Sequence, residues 1–131
     1  MMAPGWCLQY VGLPFGDKGR GPTYDCWGIV REVLRRERGL DLPDYTGEYA
    51  SSGDRISVSA AVTEGCRSWT KVQAAQVFDV AILRLAGRPW HCGLVVADDW
   101  MLHTLSGVGS VLERLSSPVW RNRIEGFYRH E

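Results

Sequence analysis

Three residues of this chain have types and neighbours suited to nucleophilic chemistry: Cys26, His91 and His103. Cys26 lies in Tyr24-Asp25-Cys26-Trp27-Gly28-Ile29-Val30, where a glycine-rich loop gives way to an amphipathic helical pattern. His91 opens the apolar run His91-Cys92-Gly93-Leu94-Val95-Val96, and His103 closes the next one, Trp100-Met101-Leu102-His103. A thiol at a helix start feels the positive end of the helix dipole, which favours the thiolate. A nearby imidazole can take the thiol proton and later pass it to a leaving amine, and a second polar group can hold that imidazole in the right tautomer. The expected roles are nucleophile for Cys26, general base for His91 and orienting group for His103.

Each residue also has a plainer reading. A buried cysteine is often a small hydrophobe, and a strand histidine is often a satisfied polar residue. Cys7, Cys66 and Cys92 lack the helix-start setting and read as packing residues. Strand alternation should point Cys92 to the face opposite His91. His130 sits among the last residues and reads as solvated. A thiolate and two imidazoles are also zinc-ligand types, but the four cysteines show no C-x-x-C spacing, so no metal or other cofactor is expected. The loop Gly16-Asp17-Lys18-Gly19-Arg20-Gly21-Pro22 lacks the Gly-Lys-Ser/Thr ending of a phosphate-binding loop.

The elements that must position these side chains follow from local signals. Residues 6–11 suit a short helix. Asp25 is a good N-cap for a helix from Cys26 to about Arg38, with Cys26, Val30, Val33 and Glu37 on one stripe and Trp27 and Leu34 beside it. Arg35, Arg36 and Arg38 complement its negative end, and Gly39 suits the C′ position. Residues 53–66 form a weak helix candidate. Apolar or alternating runs at 77–85, 91–97, 100–106, 110–115 and 124–129 then predict an antiparallel sheet of about five strands. Helices followed by a sheet give an α+β order.

Hairpin parity tests the proposed site. A two-residue turn at Asp98-Asp99 would oppose Leu94 to His103 and send His91 to the other face. A three-residue loop, Ala97-Asp98-Asp99, would oppose Gly93 to His103. His91 and His103 would then be same-face diagonal neighbours, roughly 7–8 Å apart at the backbone. Catalysis therefore needs an odd count at this turn.

Composition bounds the rest. A chain of 131 residues suits one domain, 1–131, and 45% hydrophobic with 23% charged residues is an ordinary globular balance. Fifteen basic and fifteen acidic residues cancel, which argues against a nucleic-acid partner. The first residues show no signal-peptide pattern, and no stretch reads as a membrane span, so synthesis in a reducing cytoplasm is expected.

Together these motifs resemble the NlpC-type, papain-like cysteine peptidases, murein endopeptidases of bacteria and phages. Asp25-Cys26-Trp27-Gly28-Ile29-Val30 matches the family's Asp-Cys-Ser/Trp-Gly motif, His91-Cys92-Gly93-Leu94-Val95-Val96 its His-x-Gly motif, and His103 its third polar residue. Gly12-Leu13-Pro14-Phe15 stands where the family often has Gly-x-Pro-Tyr, and Phe78-Asp79 where Gly-Asp is usual. The resemblance implies a papain-like fold and a Cys26–His91–His103 triad that hydrolyses peptidoglycan stem or cross-bridge peptides. It implies an oxyanion donor in the Cys26 backbone N–H, and Tyr24, Asp25 and Trp27 as substrate-binding candidates. Tyr24 is the candidate replacement for the phenol lost at Phe15, Asp25 is first a helix cap, and Trp27 either lines a cleft or packs in the core. Trp27 in place of Ser is similar to the branch in phage and prophage tail-assembly proteins. This implies tail proteins as partners and delivery by a tail to the periplasm or wall. Two alternatives stay open: a structural tail-tip component with a silent or assembly-activated triad, and an acyl or amide transferase on the same scaffold.

Overall fold

A computed structural model describes residues 4–45, 62–85 and 88–130 of the chain. The longest helix among the described residues, α1 (Cys26–Arg38), begins and ends where local chemistry demands. The Asp25 carboxylate accepts the Gly28 N–H at 2.8 Å, and Gly39 closes the helix in the left-handed region at φ 66°. Ile29, Val30, Val33 and Leu34 form the buried face. Glu37, on the same stripe, accepts a 2.6 Å hydrogen bond from the Tyr10 hydroxyl at the end of the 3-10 segment Gly5–Tyr10. Burial, and then this carboxylate, push the Tyr10 phenol up to about 12.

The sheet has six antiparallel strands: β1 (Thr70–Val72), β2 (Val80–Leu85), β3 (Arg88–Ala97), β4 (Trp100–Leu105), β5 (Gly109–Arg114) and β6 (Ile124–Arg129). Their spatial order is β1-β6-β2-β3-β4-β5. The architecture is the expected α+β, with one strand more than the five anticipated. The extra strand is β1, three partly or fully exposed residues pairing with β6, too short to show a period of two. Of the weak helix at 53–66, residues 62–66 are helical and 53–61 lie outside the described residues.

Alternation along β2, β3 and β4 sorts the core into two layers. Val80, Ile82, Cys92, Leu94, Val96 and Leu102 pack with α1. Ala81, Leu83, Val95 and Met101 pack on the other side with Leu115 and Trp120. Among the described residues, no helix is long and apolar enough to cross a membrane.

At the start of β2, Phe78 has φ 76°, a conformation that favours the glycine usual there. Trp6 packs on its ring at 5.3 Å and the Arg38 guanidinium sits 5.2 Å from its centroid, contacts a glycine could not make. Buried Asp79 accepts two 2.8 Å bonds from Arg129, which ties β6 to this corner.

The glycine-rich loop seats the start of α1. Arg20 donates to Asp25 at 2.7 Å, and a Cβ on Gly28 would lie 2.0 Å from the Gly19 carbonyl oxygen. The obstacle is backbone, so it cannot swing aside. Gly28→Ala is therefore expected to lower stability by about 1–3 kcal/mol, the usual range for overpacking. Chemical denaturation would measure it, and an unchanged midpoint would mean the loop does not bear on the helix.

Candidate active site

Three elements deliver the predicted residues to one place. Cys26 is the first residue of α1 and keeps partial exposure, so its sulfur sits at the positive end of the helix. His91 on β3 is 2% exposed, and His103 on β4 is fully buried. The His91 Nε2 and His103 Nδ1 atoms are 2.8 Å apart, a hydrogen bond between the rings.

The hairpin between them solves the parity problem in an unexpected way. The turn is the two-residue Asp98-Asp99, with Asp99 at φ 62°. The ladder runs Leu94↔Leu102 and Val95↔Met101, then Ala97↔Trp100, so Val96 is the extra residue of a bulge. The bulge, and not a three-residue loop, supplies the odd count. Below it, Gly93 lies beside His103. A Cβ at residue 93 would be 3.3 Å from the His103 Cβ and 3.0 Å from the Met101 sulfur, so glycine leaves room for the imidazole.

The thiol is held well below its ordinary range. The largest cause is a hydrogen bond from the Cys92 side chain, and burial opposes it. A hydrogen bond from His91, the charge of His91 and the Cys92 backbone N–H add to the lowering. Cys92 is pushed well up, first by the same contact and then by burial. The thiolate belongs on Cys26, because Cys26 has both the helix start and His91. Cys92 does point away from the His91 face, into the α1 layer, as alternation predicts. Its contact with Cys26 was missed, because nothing in its own segment reveals which face α1 covers.

Two further residues complete the surroundings without any motif to announce them. Trp120 stacks on His91 with ring centroids 5.7 Å apart and meets His103 edge-on at 5.1 Å, covering both imidazoles. Glu113 on β5 lies 2.8 Å from the His103 Nε2 atom. Burial, and then the charge of His91, lower His103 to about 4, while Glu113 opposes the shift.

The candidate substrate residues are placed differently. The Tyr24 hydroxyl donates at 3.1 Å to Glu32, a residue six positions and ~9 Å of helix rise beyond Cys26. Asp25 is 3% exposed and occupied by Gly28 and Arg20. Trp27 is partly exposed, donates to the Pro43 carbonyl at 2.8 Å, and packs against Tyr45 and Trp69. Among the described residues, no group of three or more His, Cys, Asp or Glu is arranged to hold a metal ion.

Comparison with known proteins bears on this geometry. A family model described as NlpC/P60 family matches residues 12–129. Protein P54 of Enterococcus faecium is 32% identical over 84 residues, covering 63% of this chain and 16% of that protein. Tail tip assembly protein K of Escherichia phage N15 is 28% identical over 89 residues, covering 64% of this chain and 36% of that protein. The matched segment is thus well under half of either curated relative. The crystal structure of the NlpC/p60 domain of peptidoglycan hydrolase SagA superposes with a TM-score of 0.63 at 17% identity, covering 93% of this chain and 91% of that one.

Two predictions follow from the electrostatics. Cys92→Ala removes the donor that most lowers Cys26, so Cys26 should need a higher pH to react with iodoacetamide; an unchanged pH profile would show that Cys92 contributes nothing. His103 binds its proton less readily in the fold than in the unfolded chain. The unfolded state therefore takes up more protons between about 6.5 and about 4, and stability contributed by neutral His103 is lost as pH falls through that window. The loss is on the order of 3 kcal/mol. Melting temperatures from pH 7 to 4 should fall more steeply in the wild type than in His103→Gln.

Proposed function

Because the chain belongs to the NlpC/P60 family, we propose that it is a cysteine peptidase that cuts peptidoglycan peptides. The observation that carries the proposal is the contact of a low-pKa thiol at a helix start with an imidazole whose far nitrogen is held by a second imidazole. That arrangement supplies a nucleophile, a proton carrier and a fixed orientation.

In the proposed reaction His91 holds the Cys26 proton, and the thiolate attacks the scissile carbonyl carbon. The Cys26 backbone N–H donates to the oxyanion that forms. His91 then gives its proton to the departing nitrogen as the C–N bond breaks, leaving a thioester on Cys26. A water molecule, deprotonated by His91, attacks the thioester and returns the free thiolate and the acid product. Trp120 excludes water from the outer face of the imidazoles, so the proton stays in the relay.

The substrate class is drawn from likeness to a peptidoglycan hydrolase domain, and the setting from likeness to a tail tip assembly protein. On that basis the chain cuts peptidoglycan stem or cross-bridge peptides, in a phage or phage-derived tail that delivers it to the wall. A second reading has one specific observation in its favour. Phe15 lacks the hydroxyl of the family tyrosine, and the Tyr24 hydroxyl is engaged by Glu32. A structural tail-tip component, silent until assembly, would fit that loss.

Digestion of purified sacculi, read by mass spectrometry of the released muropeptides, separates the two. Wild-type protein should release cut stem peptides. Cys26→Ser and His91→Ala should each lose at least ~10³-fold, and His103→Asn less. No release by folded wild-type protein would favour the structural reading.

A further inference from the structure

We propose that Glu113 is a positioning residue of this site, acting on the Cys26–His91 pair through the tautomer of His103. The inference rests on the peptidase reading for its catalytic consequence and on hydrogen-bond geometry for the tautomer.

The strands place Glu113 by register. His103 stands opposite Val111 and Met101 opposite Glu113, so Glu113 is on the His103 face, one diagonal step up the next strand. His91 stands in the same relation to His103 on the other side. The three residues form a staircase across β3, β4 and β5. Its contacts are 2.8 Å from His91 Nε2 to His103 Nδ1 and 2.8 Å from His103 Nε2 to the Glu113 carboxylate.

An ionised carboxylate can only accept, so His103 Nε2 must carry the proton. His103 Nδ1 is then a lone pair, and the short contact to His91 requires His91 Nε2–H to donate. The remaining nitrogen of His91, Nδ1, is left unprotonated and can take the Cys26 proton. Without Glu113, His103 can instead protonate Nδ1 and donate to His91 Nε2. His91 would then carry its proton on Nδ1 and could not receive one from the thiol. The carboxylate thus acts on the nucleophile from two rings away.

The contact is poorly explained as a stabilising ion pair. His103 has no exposed side-chain surface and burial holds it neutral at pH 7, so Glu113 meets a neutral ring. The other charged or titratable groups that act on His103 are His91 from β3 and Cys26 from α1, with the uncharged Trp120 ring completing the enclosure. Neither of them holds the Nε2 proton.

The test uses the intact chain with 15N-labelled histidine. Long-range proton–nitrogen correlation spectra at pH 7 report which ring nitrogen of His103 bears the proton. The wild type should show the Nε2–H form, and Glu113→Gln should keep it, because the amide oxygen still accepts. Glu113→Ala should show the Nδ1–H form or a mixture, and Cys26 should alkylate more slowly at pH 6. Sacculus hydrolysis should fall ~10- to 100-fold in kcat with KM unchanged for Glu113→Ala, and Glu113→Gln should recover most of it. An Nδ1–H wild type, or a Glu113→Ala variant with unaltered tautomer and alkylation, would overturn the assignment. If the tautomer pattern holds while wild type cuts no sacculi, the peptidase reading fails and the Glu113 assignment stands.

Discussion

The parity of the β3–β4 register is the constraint on which the site depends. Strand side chains alternate, so one residue more or less at the hairpin would carry His103 to the α1 face and leave His91 behind. The chain meets the constraint by combining a two-residue turn with a bulge at Val96. Asp99 anchors the turn from outside by accepting from the Ser116 backbone and hydroxyl, and the left-handed φ at Asp99 closes it. The contact between the imidazoles is a consequence of these few residues at the far end of the hairpin.

A second constraint fixes the thiol. The sheet is buried on both faces, with α1 covering one and Leu115 and Trp120 the other. Cys92 and His91 are neighbours in sequence and point to opposite layers, yet both reach Cys26. The thiol therefore sits where the two layers meet, at the end of the helix. This explains why the first turn of α1 is so tightly specified. The Asp25 cap, the Arg20 bond and the bare Cα of Gly28 leave the helix one place to begin.

Much of this was legible in the chain because several signals agreed at once. Helix α1 carried a cap, a stripe, a basic last turn and a C′ glycine, and its bounds follow from them. Both histidines stood at the ends of apolar runs that read as strands. Where the sequence was silent, the cause was tertiary. Strand β1 exists only because β6 offers it an edge. Glu113 sits in a Leu-Glu-Arg stretch that reads as solvent-facing, and only the β4–β5 register turns it toward His103. The Tyr24 hydroxyl bonds to Glu32, a partner on the next turns of α1 that the Tyr24 segment does not announce.

Trp120 gives the molecule a property beyond enclosure. Its indole lies against His91 and His103 and is almost fully buried. An imidazolium in such contact draws electron density from an excited indole, whereas a neutral imidazole does so far less. The ultraviolet emission of this tryptophan is therefore tied to the proton inventory of the two rings.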